Sequence, residues 1–515
     1  VIPFAHQQEI VDSTWNLPGY AFFWEPRTCK SLPQIMTALR LYKAGLISGV
    51  VILAPMGVHH DWAKDVIAEA IPNIYPDGLE HHILDWMSSI AGSTKFNKHV
   101  VETLKKPGLV FFCADTNSLT SQRLRSYIED FIESRSCLLV LDESHYFKNP
   151  HAKRTRFIMR KSKKASFKRL LTGTPLVTPF DLWSQFYCLD PAILGERFVP
   201  FKTQYGIFEK KFFGPRVVNL VTGYKNLDDL KAKIAPFASW RTYDETFPDN
   251  PGVAPLRRAY FELSPEYRKA YNQLAEEYIL QLEKGEVLVN NALVMMLRLN
   301  QVARGFVNTD NGEQPIPGKN HAIERLVHEV LERPGEKIVI WCRFVPNVTS
   351  CLEALTEAGV VCVRHDGQIS EEQRDLNRLA FQTDPKVRAV VGTSATGGMG
   401  KDFSAGSTVI FYDSDFILNN RIQAFDRVRG VNQGRIVQQI DLCALNTVDE
   451  RCLFLLGQHV DVISKIQDRS VLLDMLRGDG TSGADAIAEK VEAEESSLSE
   501  EEAADLIERG LKEKT

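Results

Sequence analysis

A short apolar run, Leu138 to Leu141, is followed at once by two carboxylates, Asp142 and Glu143. An unbroken run of this length between polar residues suits a strand buried on both faces of a parallel sheet. The acids then stand at the strand's carboxyl end, where open α/β sheets bind their ligands. Two adjacent carboxylates are costly there unless a cation or a proton donor uses them. A magnesium ion carrying a nucleotide phosphate would do so, one acid holding the metal and the other orienting a water. For these residues alone, a strand running into an acidic turn is the plainer reading.

Two further segments bear on the choice. Upstream, the run Tyr20–Trp24 leads into Glu25-Pro-Arg-Thr-Cys-Lys-Ser and a helix expected to begin near Lys30. Backbone N–H groups and a lysine at a helix N-terminus can cradle phosphates, and the next Ser or Thr can reach magnesium. Lys30 and Ser31 supply that pair. Downstream, Leu170 to Leu176 read Leu-Leu-Thr-Gly-Thr-Pro-Leu, a strand ending in a Gly/Pro turn.

In this order the three segments resemble the superfamily-two helicase-like ATPases of the Swi/Snf type, a DEAD/H-box group. The loop is similar to motif I, Asp-Glu-Ser-His to motif II, and Leu-Thr-Gly-Thr-Pro to motif III. The resemblance runs from Pro3 to about Gln467. It implies an α/β fold of two RecA-like parallel-sheet lobes with a helical insertion, and ATP and magnesium as cofactors. Lys30 would hold the β/γ-phosphates, Ser31 and Asp142 the magnesium, and Glu143 the attacking water. Arg27, Thr28 and Cys29 complete the ATP-binding loop. Gln7, after Pro-Phe-x-His, matches the adenine-reading glutamine, although a surface Gln on an amphipathic first helix is the plainer reading.

Further motifs point to the nucleic acid. Gly57, in the turn of the strand-turn-helix stretch Gly49–Val66, resembles motif Ia. Thr116 and Asn117, in the strand-and-turn stretch Gly108–Leu119, resemble motif Ib. Gly397 and Gly398, between two predicted strands, resemble motif V, with Asp402 near the nucleotide. Arg427 in Gln423–Gln433 matches the first arginine of motif VI, which stabilises charge on the γ-phosphate. His59 and His60 also invite a metal reading. Adjacent helical residues diverge by about 100°, however, which favours capping or surface histidines. Lys148 to Arg169 carry ten Lys or Arg and no acid, suiting either a phosphate track or a solvated face.

Length and charge set the frame. A chain of 515 residues exceeds one core. The expected order is an N-terminal lobe over 1–190, a mostly helical insertion over 191–320, a C-terminal lobe over 321–477 and an acidic flexible tail over 478–515. That tail carries twelve acids and four bases, so the net charge of −5 conceals a body of +3. Nine scattered Cys without a C-x-x-C pair favour reduced thiols. No signal-peptide pattern opens the sequence, so a cytoplasmic location, in a bacterium or a virus-infected host, is expected. A monomer without a reader or zinc module would borrow its target from a protein partner.

Two positions depart from the family. Cys29 stands where the phosphate loop has its last glycine, and Gly430 where motif VI has its second arginine. Arg429 is one residue short of that position and points elsewhere on a helix. Both departures strike hydrolysis and neither strikes the DNA-facing turns. The resemblance implies an ATP-dependent translocase on double-stranded DNA. The alternatives are a catalytically impaired DNA-binding pseudo-ATPase and a strand-separating helicase.

Overall fold

The apolar runs become parallel strands covered on both sides. A computed structural model describes residues 2–76, 78–176, 178–213, 216–283, 289–309, 312–397, 401–413, 415–431 and 433–457, with 473, 475 and 476. Two compact units divide between Pro248 and Asp249.

The first unit holds β1 (Gly19–Trp24), β2 (Gly49–Ala54), β3 (His81–Asp85), β4 (Leu109–Asp115), β5 (Cys137–Asp142), β6 (Phe167–Leu171), the hairpin β7 (Gly206–Phe213) and β8 (Arg216–Tyr224), and β9 (Ala238–Arg241). Seven of them form one sheet in the order β3-β4-β2-β5-β6-β1-β9, and every pairing in it is parallel. On β5, Leu138 and Val140 enter one buried cluster while Leu139 and Leu141 enter another. Helices on both faces leave no solvent side, so the strand shows no polar alternation.

In the second unit are β10 (Arg257–Phe261), the small hairpin β11 (Phe306–Thr309) and β12 (Gly312–Pro315), β13 (Ile338–Cys342), β14 (Cys362–His365), β15 (Ala389–Thr393), β16 (Thr408–Phe411) and β17 (Gln438–Ala444). Its six-stranded sheet runs β10-β17-β16-β13-β15-β14, again wholly parallel. Parallel strands put all their carboxyl ends on one edge, so in each unit the loops after the strands gather there.

Residues 191–320, expected to be mostly helical, are mixed. The helices Pro265–Glu283 and Val289–Ala303 are present, but the antiparallel strands β7 and β8 lie in this stretch too, β9 extends the first sheet beyond β1, and β10 lies beside β17. The helix Val289–Ala303 is tied into the second unit by Arg304. Its guanidinium is fully buried, donates to the Tyr412 carbonyl at 2.9 Å and pairs with Asp449 at 2.8 Å. Among the described residues no helix is long and apolar enough to cross a membrane. The nine cysteines are unpaired thiols. The tail 478–515 lies outside the described residues.

Candidate nucleotide site

The loop after β1 is held from below. Thr28 is buried, and its hydroxyl donates to the Glu25 carbonyl at 2.7 Å. Two side chains of the first helix, Ala5–Thr14, grip the same loop. Gln7 Nε2 donates to the Cys29 carbonyl at 2.8 Å, and His6 Nε2 lies 3.2 Å from the Thr28 carbonyl. Gln7 is 1% exposed and its Oε1 accepts from the Phe4 N–H at 2.9 Å, so this amide is no surface glutamine. It braces the loop after β1. Arg27 and Cys29 both have positive φ, +66° and +62°. Positive φ is the territory of glycine, since a Cβ crowds the following carbonyl. Ser31 opens the helix Ser31–Lys43, as expected. Lys30 Nζ donates to the carbonyls of Trp24 and Glu25 at 2.8 and 2.9 Å.

At the end of β5, Asp142 is buried. Trp62 Nε1 donates to one carboxylate oxygen at 2.8 Å, and the Glu143 N–H donates to the other at 3.0 Å. Burial, and then the charge of Glu143, push the Asp142 carboxyl up from its ordinary range. Glu143 takes the left-handed conformation at φ +49°. Burial alone would raise its carboxyl too. A hydrogen bond and charge from His145, the charge of Lys30 and the Thr172 hydroxyl outweigh it and hold Glu143 low. Thr172 Oγ1 donates to Glu143 Oε2 at 3.2 Å and sits 3.0 Å from His145 Nδ1. Motifs II and III therefore share one network. Gly173 lies so close to Pro26 that an added Cβ would meet Pro26 Cδ at 2.6 Å, which packs motif III onto the loop of motif I.

Asp142 brings hard oxygen donors, buried and opposed by its neighbour's charge, so the residues fit a magnesium ion. Trp62, His145 and Thr172 were not singled out from the sequence. His145 and Thr172 stand inside the quoted motifs, whereas the bond from Trp62 to Asp142 spans 80 positions that no local pattern links.

The DNA-facing expectations fare unevenly. Gly57 sits at φ +88° before the short helix Val58–Asp61, in a turn that a side chain would strain. Asn117 is exposed, but Thr116 is fully buried, with its N–H bonded to the Ala54 carbonyl at 2.9 Å. Continuing the sheet ladder turns the Thr116 side chain inward, so the expectation that it meets a phosphate is corrected. His59 and His60 do not diverge. Their ring centroids are 3.9 Å apart, and His59 is buried rather than a surface residue. In the basic run, Arg169 is buried and its guanidinium donates to the carbonyls of Thr14, Trp15 and Leu17 at the end of the first helix. Arg125, Lys153, Arg156 and Arg160 line an open pocket of about 390 Å³ with Tyr187 and Met159.

In the second unit, Asp402 Oδ2 accepts from Gln382 Nε2 at 2.8 Å and from the Ser404 hydroxyl at 2.9 Å. The Phe403 N–H donates to the Arg427 carbonyl at 2.9 Å, bringing the Asp402 and Arg427 segments together. The helix Leu418–Asp426 ends just before Arg427, so Arg429 and Gly430 are not on a helix as expected but in the turn that follows. Gly397 closes a single helical turn, Ser394–Gly397, between β15 and β16, and Gly398 lies outside the described residues.

Two family models match the chain: the SNF2-related domain over residues 27–305 and the helicase conserved C-terminal domain over residues 318–430. The human protein named DNA annealing helicase and endonuclease ZRANB3 is 24% identical over 432 residues, covering 84% of this chain and 37% of that protein. An uncharacterized ATP-dependent helicase, MG018, of Mycoplasma genitalium is 24% identical over 376 residues, 73% of this chain and 34% of its own. The chain thus spans about a third of the length of these curated relatives. A solved structure, the Sulfolobus solfataricus SWI2/SNF2 ATPase core in complex with dsDNA, aligns with a TM-score of 0.38 and 20% identity over 96% of each chain.

Proposed function

This chain belongs to the SNF2-related family of helicase-like ATPases, and from that premise we propose that it hydrolyses ATP to move along duplex DNA. The observation that carries the reading is the network at the end of β5. An acid pair is set at one strand end, with Lys30's charge acting on both carboxylates and Thr172 and His145 on Glu143.

Each group has a distinct task. Lys30 neutralises β- and γ-phosphate oxygens. Magnesium, with Ser31 and Asp142 as its protein ligands, would supply charge neutralisation at the phosphates. Glu143, held anionic, is a weak proton acceptor, so its task is to orient the attacking water by hydrogen bonding rather than to remove its proton early. Thr172 and His145 fix the Glu143 carboxylate in that pose. Arg427 meets charge that grows on the γ-phosphate in the transition state. Gly57 and Asn117 in the first unit, and Gly397 in the second, are each proposed to contact duplex phosphates, so binding is sequence-tolerant and falls with salt.

The test is steady-state ATPase with and without duplex DNA, for the parent, Lys30→Ala and Glu143→Gln, with nucleotide binding measured alongside. Duplex should stimulate the parent. Each substitution should remove roughly 100-fold or more of the rate, and Glu143→Gln should still bind ATP. A parent that binds ATP and DNA but does not turn over would make the non-catalytic reading, favoured by Cys29, the better one.

A further inference from the structure

Beyond the nucleotide site, the end of β3 gathers three metal-ligating side chains. Asp85 is the last residue of β3, and His59 and His60 stand in the first turn after Gly57. One donor atom from each lies within 4.8 Å of the others. His60 Nδ1 is 2.6 Å from Asp85 Oδ2, and His59 Nε2 is 3.9 Å from Asp85 Oδ1.

The imidazole of His59 is oddly placed for a histidine with only a proton to satisfy it. Its Nδ1 lies 3.4 Å from the Pro55 carbonyl and its Nε2 lies 3.1 Å from the Trp86 carbonyl. A neutral imidazole carries a single N–H, so one nitrogen turns a lone pair toward an oxygen. A cation between them removes that conflict. On the facing side, Asp85 Oδ1 is shielded from solvent and has no hydrogen-bond partner. His59 Nε2 and Asp85 Oδ1 stand 3.9 Å apart, a separation that two ligands of one ion can span.

We propose that His59, His60 and Asp85 form a binding site for a divalent transition-metal ion, with Zn2+ the ion this donor set fits. Two imidazoles and one carboxylate are borderline donors that suit zinc better than magnesium or calcium. With His59 ligating through Nε2, its Nδ1–H points at the Pro55 carbonyl, the outer partner that metal-bound histidines ordinarily have. Three protein ligands leave a fourth position for water. The other His/acid cluster, His328 with Glu329 and Glu332, has no such capacity, because Arg257, Arg325 and Arg333 already pair with Glu329.

The ion would tie the end of β3 to the turn after β2. That turn leads within two residues to Trp62, whose indole holds Asp142. Ligation needs neutral imidazoles and an ionised carboxylate, so affinity weakens as pH falls. The assignment does not depend on the proposed ATPase function.

The test is titration of the full chain with Co2+, followed by displacement with Zn2+. One equivalent should give the visible absorption of four-coordinate cobalt without a thiolate charge-transfer band, because no cysteine is in the set. His60→Ala and Asp85→Asn should each weaken Zn2+ binding at least about tenfold, while His82→Ala, on the same strand, should not. Zn2+ should raise the melting temperature of the parent more than that of either variant. A thiolate band, unchanged affinity in both variants, or no binding at micromolar metal would each overturn the site. The spectrum of the parent decides the matter even if a variant misfolds.

Discussion

Cys29 is strained as well as misplaced. At φ +62° its Cβ costs about 1–2 kcal/mol, and a glycine there would give back roughly 0.5–1 kcal/mol in chain entropy. Cys29→Gly should therefore leave the melting temperature within a few degrees of the parent and tighten nucleotide binding, as measured by fluorescent-nucleotide titration. Weaker binding would mean that the thiol has a positive role. Gly430 behaves differently. From the sequence, Gly430→Arg looks like the restoration of a lost arginine, but an added Cβ would stand 2.4 Å from Ser404 Cβ and 2.8 Å from its hydroxyl oxygen. The substitution should destabilise the second unit by about 1–3 kcal/mol without raising turnover. Ser404→Gly in the same chain should recover most of that loss in urea unfolding. A stable single variant with faster ATPase would contradict this packing.

At the scale of elements, the helix Val289–Ala303 is attached to the second sheet by charge as well as by apolar contact. Asp449 is buried, pairs with Arg304 and accepts from Asn300 Nδ2 at 2.8 Å. Asp449→Ala leaves a buried guanidinium uncompensated and should cost about 3–5 kcal/mol. A loss below about 1 kcal/mol would show that the helix is held by apolar packing alone. The end of β14 makes the second unit sensitive to acid. Burial pushes the His365 imidazole down to about 4 from an ordinary 6.5, helped by the charges of Arg374 and Lys401. Its folded pKa is the lower one, so its contribution is complete above about pH 6.5 and is lost as pH falls toward 4, at up to roughly 1.4 kcal/mol per pH unit. His365→Leu should flatten that part of the stability profile. Parallel profiles for parent and variant would contradict it.

For the molecule as a whole, the sequence disclosed the strands and the nucleotide loops because both follow local rules. β5 reads directly, since each of its faces is buried and its acids mark the sheet edge. The helix Glu371–Thr383 follows a local rule of the same kind, opening after Ser370, whose hydroxyl accepts from the Gln373 N–H. What escaped were long-range partners. β9 is four residues long and pairs with β1 over two hundred positions earlier, and no periodicity in Ala-Ser-Trp-Arg announces that. The inward turn of Thr116 and the convergence of His59 and His60 on Asp85 depend on the neighbouring strands. Gln7 was placed on the right helix, but its grip on Cys29 needed the tertiary structure.

The central claim is ATP-driven movement on duplex DNA, and triplex displacement tests it most directly. A third strand is annealed to a duplex, and its release is followed with ATP, without ATP, and with the Glu143→Gln chain. A forked duplex in parallel reports strand separation. The account predicts release that needs ATP, disappears in Glu143→Gln, and proceeds without unwinding of the fork. Fork unwinding without triplex release would contradict it in favour of a strand-separating helicase. ATP-independent release, or none from a chain that binds both ATP and duplex, would contradict the motor altogether.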